Sequence, residues 1–99
     1  MDKSLIFSAP NQMDVIWTQK KKGLCCSLEF PDFRTAMNFM LEAAGAAEKS
    51  NHHPDWRNVY RRVEICLNTH DAGNRVTEKD HALSAEITRI LLSYQFTNF

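Results

Sequence analysis

The feature that most constrains the fold is a change of hydrophobic period within one short stretch of the chain. Over residues 24–30, apolar residues alternate with small or polar ones, a pattern typical of a half-buried strand. After Pro31, apolar residues recur at helical spacing, which predicts a helix over residues 33–49 with Asp32 as its N-cap. A half-buried strand followed by a long amphipathic helix predicts a sheet with a helix packed on one face.

The same combination of patterns occurs twice. Residues 15–19 are predicted to form a strand that pairs with residues 24–30, and residues 56–61 and 63–68 a second hairpin. A final helix is predicted over residues 78–95, with Thr77 and Asp80 in a capping box. The order β-β-α-β-β-α predicts an α+β fold of two layers, a four-stranded antiparallel sheet with helices on one face. Residues 14–99 are predicted to be a single domain that follows an irregular N-terminal arm over residues 1–13.

Composition narrows the possible partners and the compartment. Twelve Lys and Arg residues balance twelve Asp and Glu residues, which argues against a general nucleic-acid binder. The basic run at residues 20–22 is interpreted as a solvated hairpin turn. We find no secretory signal pattern and no apolar stretch of about 20 residues, so we expect no membrane association and a cytoplasmic location. A core this small, on a sheet with free edges, favours a homodimer or a homotetramer.

The chain has three cysteines, at Cys25, Cys26 and Cys66. Neighbouring residues of a strand point to opposite faces, so we expect no bond between Cys25 and Cys26. An odd number of cysteines without a Cys-x-x-Cys pair is a poor disulfide framework. We therefore interpret all three as small apolar residues in a reducing compartment.

The chain has four histidines, and three of them lie in predicted loops, where they could take part in catalysis. His52 and His53 precede a proline at the end of the first helix, and His70 follows a strand. Loops held by a rigid scaffold often carry catalytic groups, and imidazole is suited to proton transfer near neutral pH. Glu48, four residues before His52, is expected to orient an imidazole or to change its pKa. His81, in the first turn of the last helix, is interpreted as a surface residue.

A second interpretation of these histidines is a zinc site. Three histidines and a water form a known catalytic zinc arrangement. Adjacent histidines rarely point the same way, however, and the chain has no His-x-His or His-x-x-x-His spacing. We therefore expect no metal.

The segment 48–60, Glu-Lys-Ser-Asn-His-His-Pro-Asp-Trp-Arg-Asn-Val-Tyr, closely resembles the signature of the pterin-4a-carbinolamine dehydratases. That signature is an acidic residue, three spacers, two histidines, then a proline and an aromatic residue. The resemblance continues through Thr69-His70-Asp71 and Gly73 to residues 77–80, and covers roughly residues 17–92.

The resemblance implies a dimer or tetramer with a pterin pocket. It implies that the enzyme eliminates water from a 4a-hydroxytetrahydropterin, such as the tetrahydrobiopterin derivative, to give the quinonoid dihydropterin, with no cofactor or metal. We expect His52 and His70 to transfer protons and His53 to position the pterin. The substrate-binding residues that the resemblance implies are Glu48, Trp56 and Asp80. Trp56 has an equally good structural interpretation, as a side chain that covers the edge of the sheet.

Two other functions are also consistent with the sequence, and the chain departs from the family pattern at two places. Some relatives of this fold serve as dimerisation partners of a transcription factor, so a non-catalytic binding module is the main alternative. Dehydration of another pterin, such as a molybdopterin-related one, is the second. Residues 1–15 show no convincing helix where the family usually has one. The segment between His70 and Thr77 is one residue longer than usual and contains Asn74-Arg75, a change that could alter the accepted substrate size.

Overall fold

The computed structural model describes residues 14–99, so the predicted N-terminal arm over residues 1–13 lies outside the described residues. Within residues 14–99 the chain forms five strands, two α-helices and one short 3₁₀-helix. In chain order these are β1 Thr18–Lys20, β2 Gly23–Glu29, α1 Phe33–Ser50, β3 Asp55–Val59, β4 Arg62–Leu67, the 3₁₀-helix His70–Ala72, α2 Glu78–Leu91 and β5 Thr97–Asn98.

The strands form one antiparallel sheet in the order β1-β2-β4-β3, which confirms the predicted fold class. The short strand β5 pairs with the end of β2, beyond the region that β1 covers, and the prediction of four strands missed it. At the centre of the sheet, Cys26 lies opposite Ile65 and Leu28 opposite Val63. This register places the apolar residues of β2 and β4 on the face covered by the two helices.

The core lies between this face and the helices. Phe30 and Phe39 stack with their ring centroids 5.1 Å apart, and Tyr94 packs edge-on against both. Burial of each large apolar side chain contributes about 1.5–3 kcal/mol to folding. The largest completely buried apolar side chains are Phe30, Phe39, Leu28, Ile65, Leu67, Ile87, Leu91 and Val63. Neither helix of the described region is long and apolar enough to cross a membrane.

The ends of α1 follow from local side-chain chemistry. Asp32 caps the helix, as predicted, and its carboxylate accepts a hydrogen bond of 2.8 Å from the Thr35 backbone N–H. At the other end, Asn51 takes a left-handed conformation, with φ of 54°, and stops the helix one residue beyond the predicted boundary. The left-handed turn redirects the chain, so residues 52–54 leave the helix axis and lead into β3.

The predicted end of α2 was wrong. The helix stops at Leu91 instead of residue 95, and the chain turns back over the core. Phe96 is buried, and Phe99 N–H donates a hydrogen bond of 3.1 Å to the carbonyl of Ser27 on β2. The apolar residues after Leu91 had the spacing of a helix, but packing of Phe96 and pairing of β5 require an extended chain.

The structure also corrects the interpretation of the cysteines. Cys25 and Cys66 lie directly opposite each other on β2 and β4 and form a disulfide. Cys26 points to the other face of the sheet and is a buried free thiol. The prediction that Cys25 does not bond Cys26 agrees with this arrangement, but the prediction that all three cysteines are unpaired was wrong.

Gly23 allows the first hairpin to lie against the end of β4. Its φ of +128° is rarely adopted by other residues, and a Cβ atom there would lie 2.2 Å from the carbonyl oxygen of Leu67. Beside this contact, the side-chain amide of Asn68 donates to the carbonyl of Lys22 at 3.0 Å. The turn that carries the basic residues is therefore held next to the loop that follows β4.

Candidate active site

A buried carboxylate, Asp80, connects three segments of the chain that are distant in sequence. Its Oδ1 lies 2.6 Å from Nε2 of His52, in the segment after α1. Its Oδ2 accepts hydrogen bonds from the hydroxyl of Thr69 at 2.7 Å and from the backbone N–H of Thr77 at 2.8 Å. Asp80 therefore fixes the end of α1, the end of β4 and the start of α2 relative to one another.

The position of Asp80 follows from its place in the first turn of α2. The Thr77 hydroxyl accepts a backbone N–H of that turn while Asp80 caps the Thr77 N–H, so the predicted capping box is present. The helix N-terminus also favours a negative charge at this point. The capping hydrogen bond to Oδ2 thus holds the carboxylate in place and leaves Oδ1 to bind His52.

The carboxylate is ionised despite its burial. Burial by itself would raise the pKa of Asp80, but the hydrogen bonds from His52, the Thr77 N–H and Thr69 outweigh it and hold the pKa below its ordinary value. Because an ionised carboxylate only accepts hydrogen bonds, Nε2 of His52 must carry the shared proton. Nδ1 is then the ring nitrogen of His52 that remains for proton exchange with a substrate.

Glu48 contacts the second of the two adjacent histidines. Its Oε2 lies 2.7 Å from Nε2 of His53, and both side chains are largely exposed. The carboxylate–imidazole contact expected of Glu48 therefore lies at His53, while Asp80 binds His52. The two adjacent histidines each have their own carboxylate, one buried and one at the surface.

His70 is exposed at the start of the 3₁₀-helix, one residue after Thr69. Its Nδ1 lies 3.2 Å from the side-chain oxygen of Asn74. Because Thr69 and His52 bind the same carboxylate, Asp80 brings the backbone beside His70 to the same end of the molecule as His52. Sequence reasoning assigned Thr69 no role, although a threonine next to a candidate catalytic histidine was a signal that could have identified it.

Trp56 does not line the cavity that lies beside His52. Trp56 is half-buried on β3 and packs against the core. A cavity of about 430 Å³ lies beside His52, between the end of α1 and the start of α2. Its lining residues are Ala46, Lys49, Ser50, His52, Lys79, Ala82, Leu83 and Glu86, a set without His53 and His70.

No group of three or more His, Cys, Asp or Glu side chains within residues 14–99 is arranged to hold a metal ion. His81 is exposed and lines a separate cavity beside the first hairpin.

The structure is a two-layer α+β domain in which a buried carboxylate holds an imidazole at one end. Comparison with known proteins assigns this domain to a family. The family model for pterin 4 alpha carbinolamine dehydratase matches residues 5–90. The chain therefore belongs to the pterin-4a-carbinolamine dehydratase family.

Individual relatives agree with the family match. A protein from Opitutus terrae that carries the provisional name pterin-4-alpha-carbinolamine dehydratase is 47% identical over 74 residues, 75% of this chain and 76% of its own. A similarly named protein from Rhizobium johnstonii is 55% identical over 70 residues, 69% of this chain and 68% of its own. A crystal structure from Brucella melitensis, described as a transcriptional coactivator/pterin dehydratase, matches with a TM-score of 0.70 and 41% identity, over 75% of this chain and 80% of that chain.

Proposed function

We propose that this protein eliminates water from a 4a-hydroxytetrahydropterin, with 4a-hydroxytetrahydrobiopterin as the expected substrate, and releases the quinonoid dihydropterin. The bond between C4a and the hydroxyl oxygen breaks, the hydroxyl leaves as water after protonation, and N5 loses its proton as the N5–C4a double bond forms. The reaction needs one acid and one base, and the side chains proposed for these roles act without a cofactor or a metal.

The observation that carries the proposal is the contact between His52 and Asp80. A buried carboxylate that binds one imidazole nitrogen fixes the tautomer and stabilises the imidazolium formed when the other nitrogen accepts a proton. We assign His52 as the base that removes the N5 proton, through Nδ1. The exposed imidazole of His70 is assigned as the acid that protonates the leaving hydroxyl.

The remaining predicted residues are proposed to hold the substrate or the catalytic groups. Asp80 was expected to bind substrate, but it is completely buried and both its oxygens are engaged by protein groups. We therefore propose Asp80 as the residue that positions His52. The exposed pair Glu48 and His53 is proposed to contact a polar edge of the pterin. Trp56 is proposed to cover one side of the pterin ring.

The test is the decay of a synthetic 4a-hydroxytetrahydropterin followed by absorbance in a stopped-flow instrument. The wild-type protein should accelerate the decay, and a double variant with His52→Ala and His70→Ala should lose roughly two to four orders of magnitude in rate. Asn38→Ala, an exposed position in the middle of α1, is the control for handling and folding. Full activity in the double variant would contradict the proposed acid and base.

The second candidate function is a non-catalytic binding module, which the description of the Brucella structure as a coactivator favours.

Two large apolar side chains of α1, Phe33 and Leu41, are exposed in the single chain, at 46% and 73%. Exposed apolar side chains on one helix support the prediction of a homodimer or homotetramer. Light scattering of the wild type and of Leu41→Glu tests the assembly, and an unassembled wild-type protein at micromolar concentration would contradict it.

A cytoplasmic location also remains a proposal. The Cys25–Cys66 disulfide weighs against it, because structural disulfides are rare in the cytosol. Fractionation of the native cells, with thiol alkylation at lysis, measures both the compartment and the state of the two cysteines.

A further inference from the structure

A cavity of about 390 Å³ lies between the first hairpin and the loop before α2, outside the residues assigned to proton transfer. It is lined by Gln19, Lys20, Lys21, Gly23, Asn74, Arg75, Val76 and His81. Three of these side chains are cationic, one is an imidazole, and none is a carboxylate. Because the chain as a whole has no net charge, this concentration of positive charge is local.

The cations of this cavity have no acidic partners in the described part of the chain. The ion pairs found within residues 14–99 involve other side chains, and none of them includes Lys20, Lys21 or Arg75. Cations placed together repel one another, so a site of this kind is stabilised by an anion that binds between them.

Arg75 is held in position more firmly than a surface arginine usually is. Its carbonyl accepts the Thr69 N–H at 2.8 Å, and its Nε donates to the carbonyl of Ala72 at 3.1 Å. With Nε fixed to the backbone, the two terminal nitrogens of the guanidinium are the donors left to bind a ligand. Two such donors in one plane match two oxygens of a phosphate group.

The cavity adjoins the candidate active site through one residue. Asn74 lines the cavity, and its side-chain oxygen contacts the His70 imidazole at 3.2 Å. A ligand that reaches from His70 past Asn74 would therefore place its far end among the basic side chains. Asn74 and Arg75 of this loop and the basic residues of the hairpin line the cavity together.

We propose that the cavity binds a phosphate group, carried as an ester on the side chain of the pterin substrate. The identification of the ester rests on the proposed function, whereas the phosphate site itself does not. A cavity of about 390 Å³ has the size of a small-molecule site, so it accommodates the phosphate together with part of the side chain that carries it. The zero net charge of the chain does not favour an extended nucleic-acid backbone.

The first experiment uses inorganic phosphate alone and needs no catalysis. Titration into the full chain, followed by NMR at constant ionic strength, should give saturable shifts in the amide signals of residues 19–23 and 74–81. A double variant with Lys21→Gln and Arg75→Gln should bind phosphate at least about tenfold more weakly, since each substitution removes a charge-assisted contact to the anion. The matched control, Arg34→Gln with Arg57→Gln, removes the same charge from two exposed positions elsewhere and should bind as the wild type does.

The site is overturned if phosphate gives no saturable shifts, if chloride gives the same shifts, or if both double variants lose affinity equally. Binding of a DNA duplex to these residues more tightly than phosphate would also overturn it, in favour of a nucleic-acid surface.

The second experiment identifies the source of the phosphate. A 4a-hydroxytetrahydropterin with a phosphorylated side chain should show a KM at least about tenfold lower than its dephosphorylated counterpart, with little change in kcat, because the added contact is the same in the ground and transition states. The Lys21→Gln, Arg75→Gln variant should remove this difference. Equal KM values in the wild type, with phosphate binding intact, overturn the ester and support a separate phosphate-bearing ligand. If neither pterin is dehydrated while phosphate still binds, the proposed function fails and the phosphate site stands.

Discussion

Two imidazole–carboxylate contacts lie at adjacent residues of this chain and differ mainly in their surroundings. The His52–Asp80 and His53–Glu48 contacts have almost the same length, 2.6 and 2.7 Å. The side chains of the first pair are 12% and 0% exposed, and those of the second are 54% and 77% exposed. The comparison separates the effect of the contact from the effect of its environment.

In the buried pair the carboxylate is held by further donors and cannot move to water, so loss of either partner leaves a buried polar group unpaired. In the exposed pair both groups are solvated, and water replaces either partner at little cost. The buried contact is therefore suited to fix a tautomer and a ring orientation. The exposed contact is suited to exchange its partner for a ligand.

The largest effect is expected from loss of the buried carboxylate. Asp80→Ala removes the partner of His52, the Thr69 contact and the helix cap, and should lower the free energy of unfolding by about 3–5 kcal/mol. Glu48→Ala, the matched change in the exposed pair, should cost no more than about 1 kcal/mol. Urea unfolding of the three proteins measures both values, and equal losses would mean that burial does not distinguish the pairs.

Part of the Asp80 contribution should depend on pH in a defined direction. The folded pKa of Asp80 lies below its ordinary value, so below about pH 4 the unfolded chain binds more protons than the folded one. The stabilisation is complete above the unfolded pKa and is lost as the pH falls through the folded pKa. Asp32, whose pKa is also lowered, by its hydrogen bonds from Thr35, contributes with the same sign.

Unfolding free energies measured from pH 6 downwards should therefore fall less steeply in Asp80→Asn than in the wild type, while part of the slope remains. A variant with an unchanged slope would show that Asp80 has no lowered pKa in the folded protein.

The exposed pair should affect substrate affinity more than turnover. Glu48→Gln keeps the size of the side chain and removes its charge, and His53→Asn replaces the imidazole with a smaller polar group. Each should raise KM by roughly a few-fold to tenfold with kcat nearly constant, as expected for groups that bind substrate and transition state equally. Steady-state kinetics on the 4a-hydroxytetrahydropterin measures the split. A fall in kcat of about a hundredfold in either variant would assign a proton-transfer role to His53.

The smallest effects are expected at the cysteines, where a disulfide-bonded cysteine and a free thiol are buried at adjacent positions of β2. Burial raises the pKa of Cys26 to about 12, so its thiol should resist alkylation in the folded protein. Cys25 and Cys66 should react only after reduction. Mass spectrometry after iodoacetamide treatment, with and without a reductant and with and without urea, counts the labelled cysteines, and labelling of Cys25 before reduction would contradict the disulfide.

The parts of the structure that depend on local pattern were predictable from the sequence. The start of α1, its Asp32 cap and the Thr77–Asp80 capping box all follow from neighbouring residues. The end of α2 and the strand β5 did not, because they depend on where Phe96 packs and on a strand edge supplied by β2. The disulfide depends on the β2–β4 register, which places Cys25 opposite Cys66 and which spacing in the sequence does not define.

In the candidate site, too, some features could be predicted from the sequence and others could not. The histidines and both carboxylates could be selected from the sequence and from the family resemblance. Their pairing could not, because His52 and Asp80 are 28 residues apart and meet only when α1 packs against α2. Glu48 was close to His52 in sequence, yet the left-handed turn at Asn51 directs His53 towards it instead.

The most direct test of the central claim is the rate of dehydration in Asp80→Asn, measured from pH 5 to pH 9 beside the wild type and Asp32→Asn. An amide at position 80 keeps the size of the side chain but removes the charged acceptor that fixes the tautomer and the orientation of His52. We predict a loss of roughly a hundredfold or more in kcat across this pH range, and a wild-type rate in Asp32→Asn. A wild-type rate in a folded Asp80→Asn protein would contradict the role proposed for the His52–Asp80 contact.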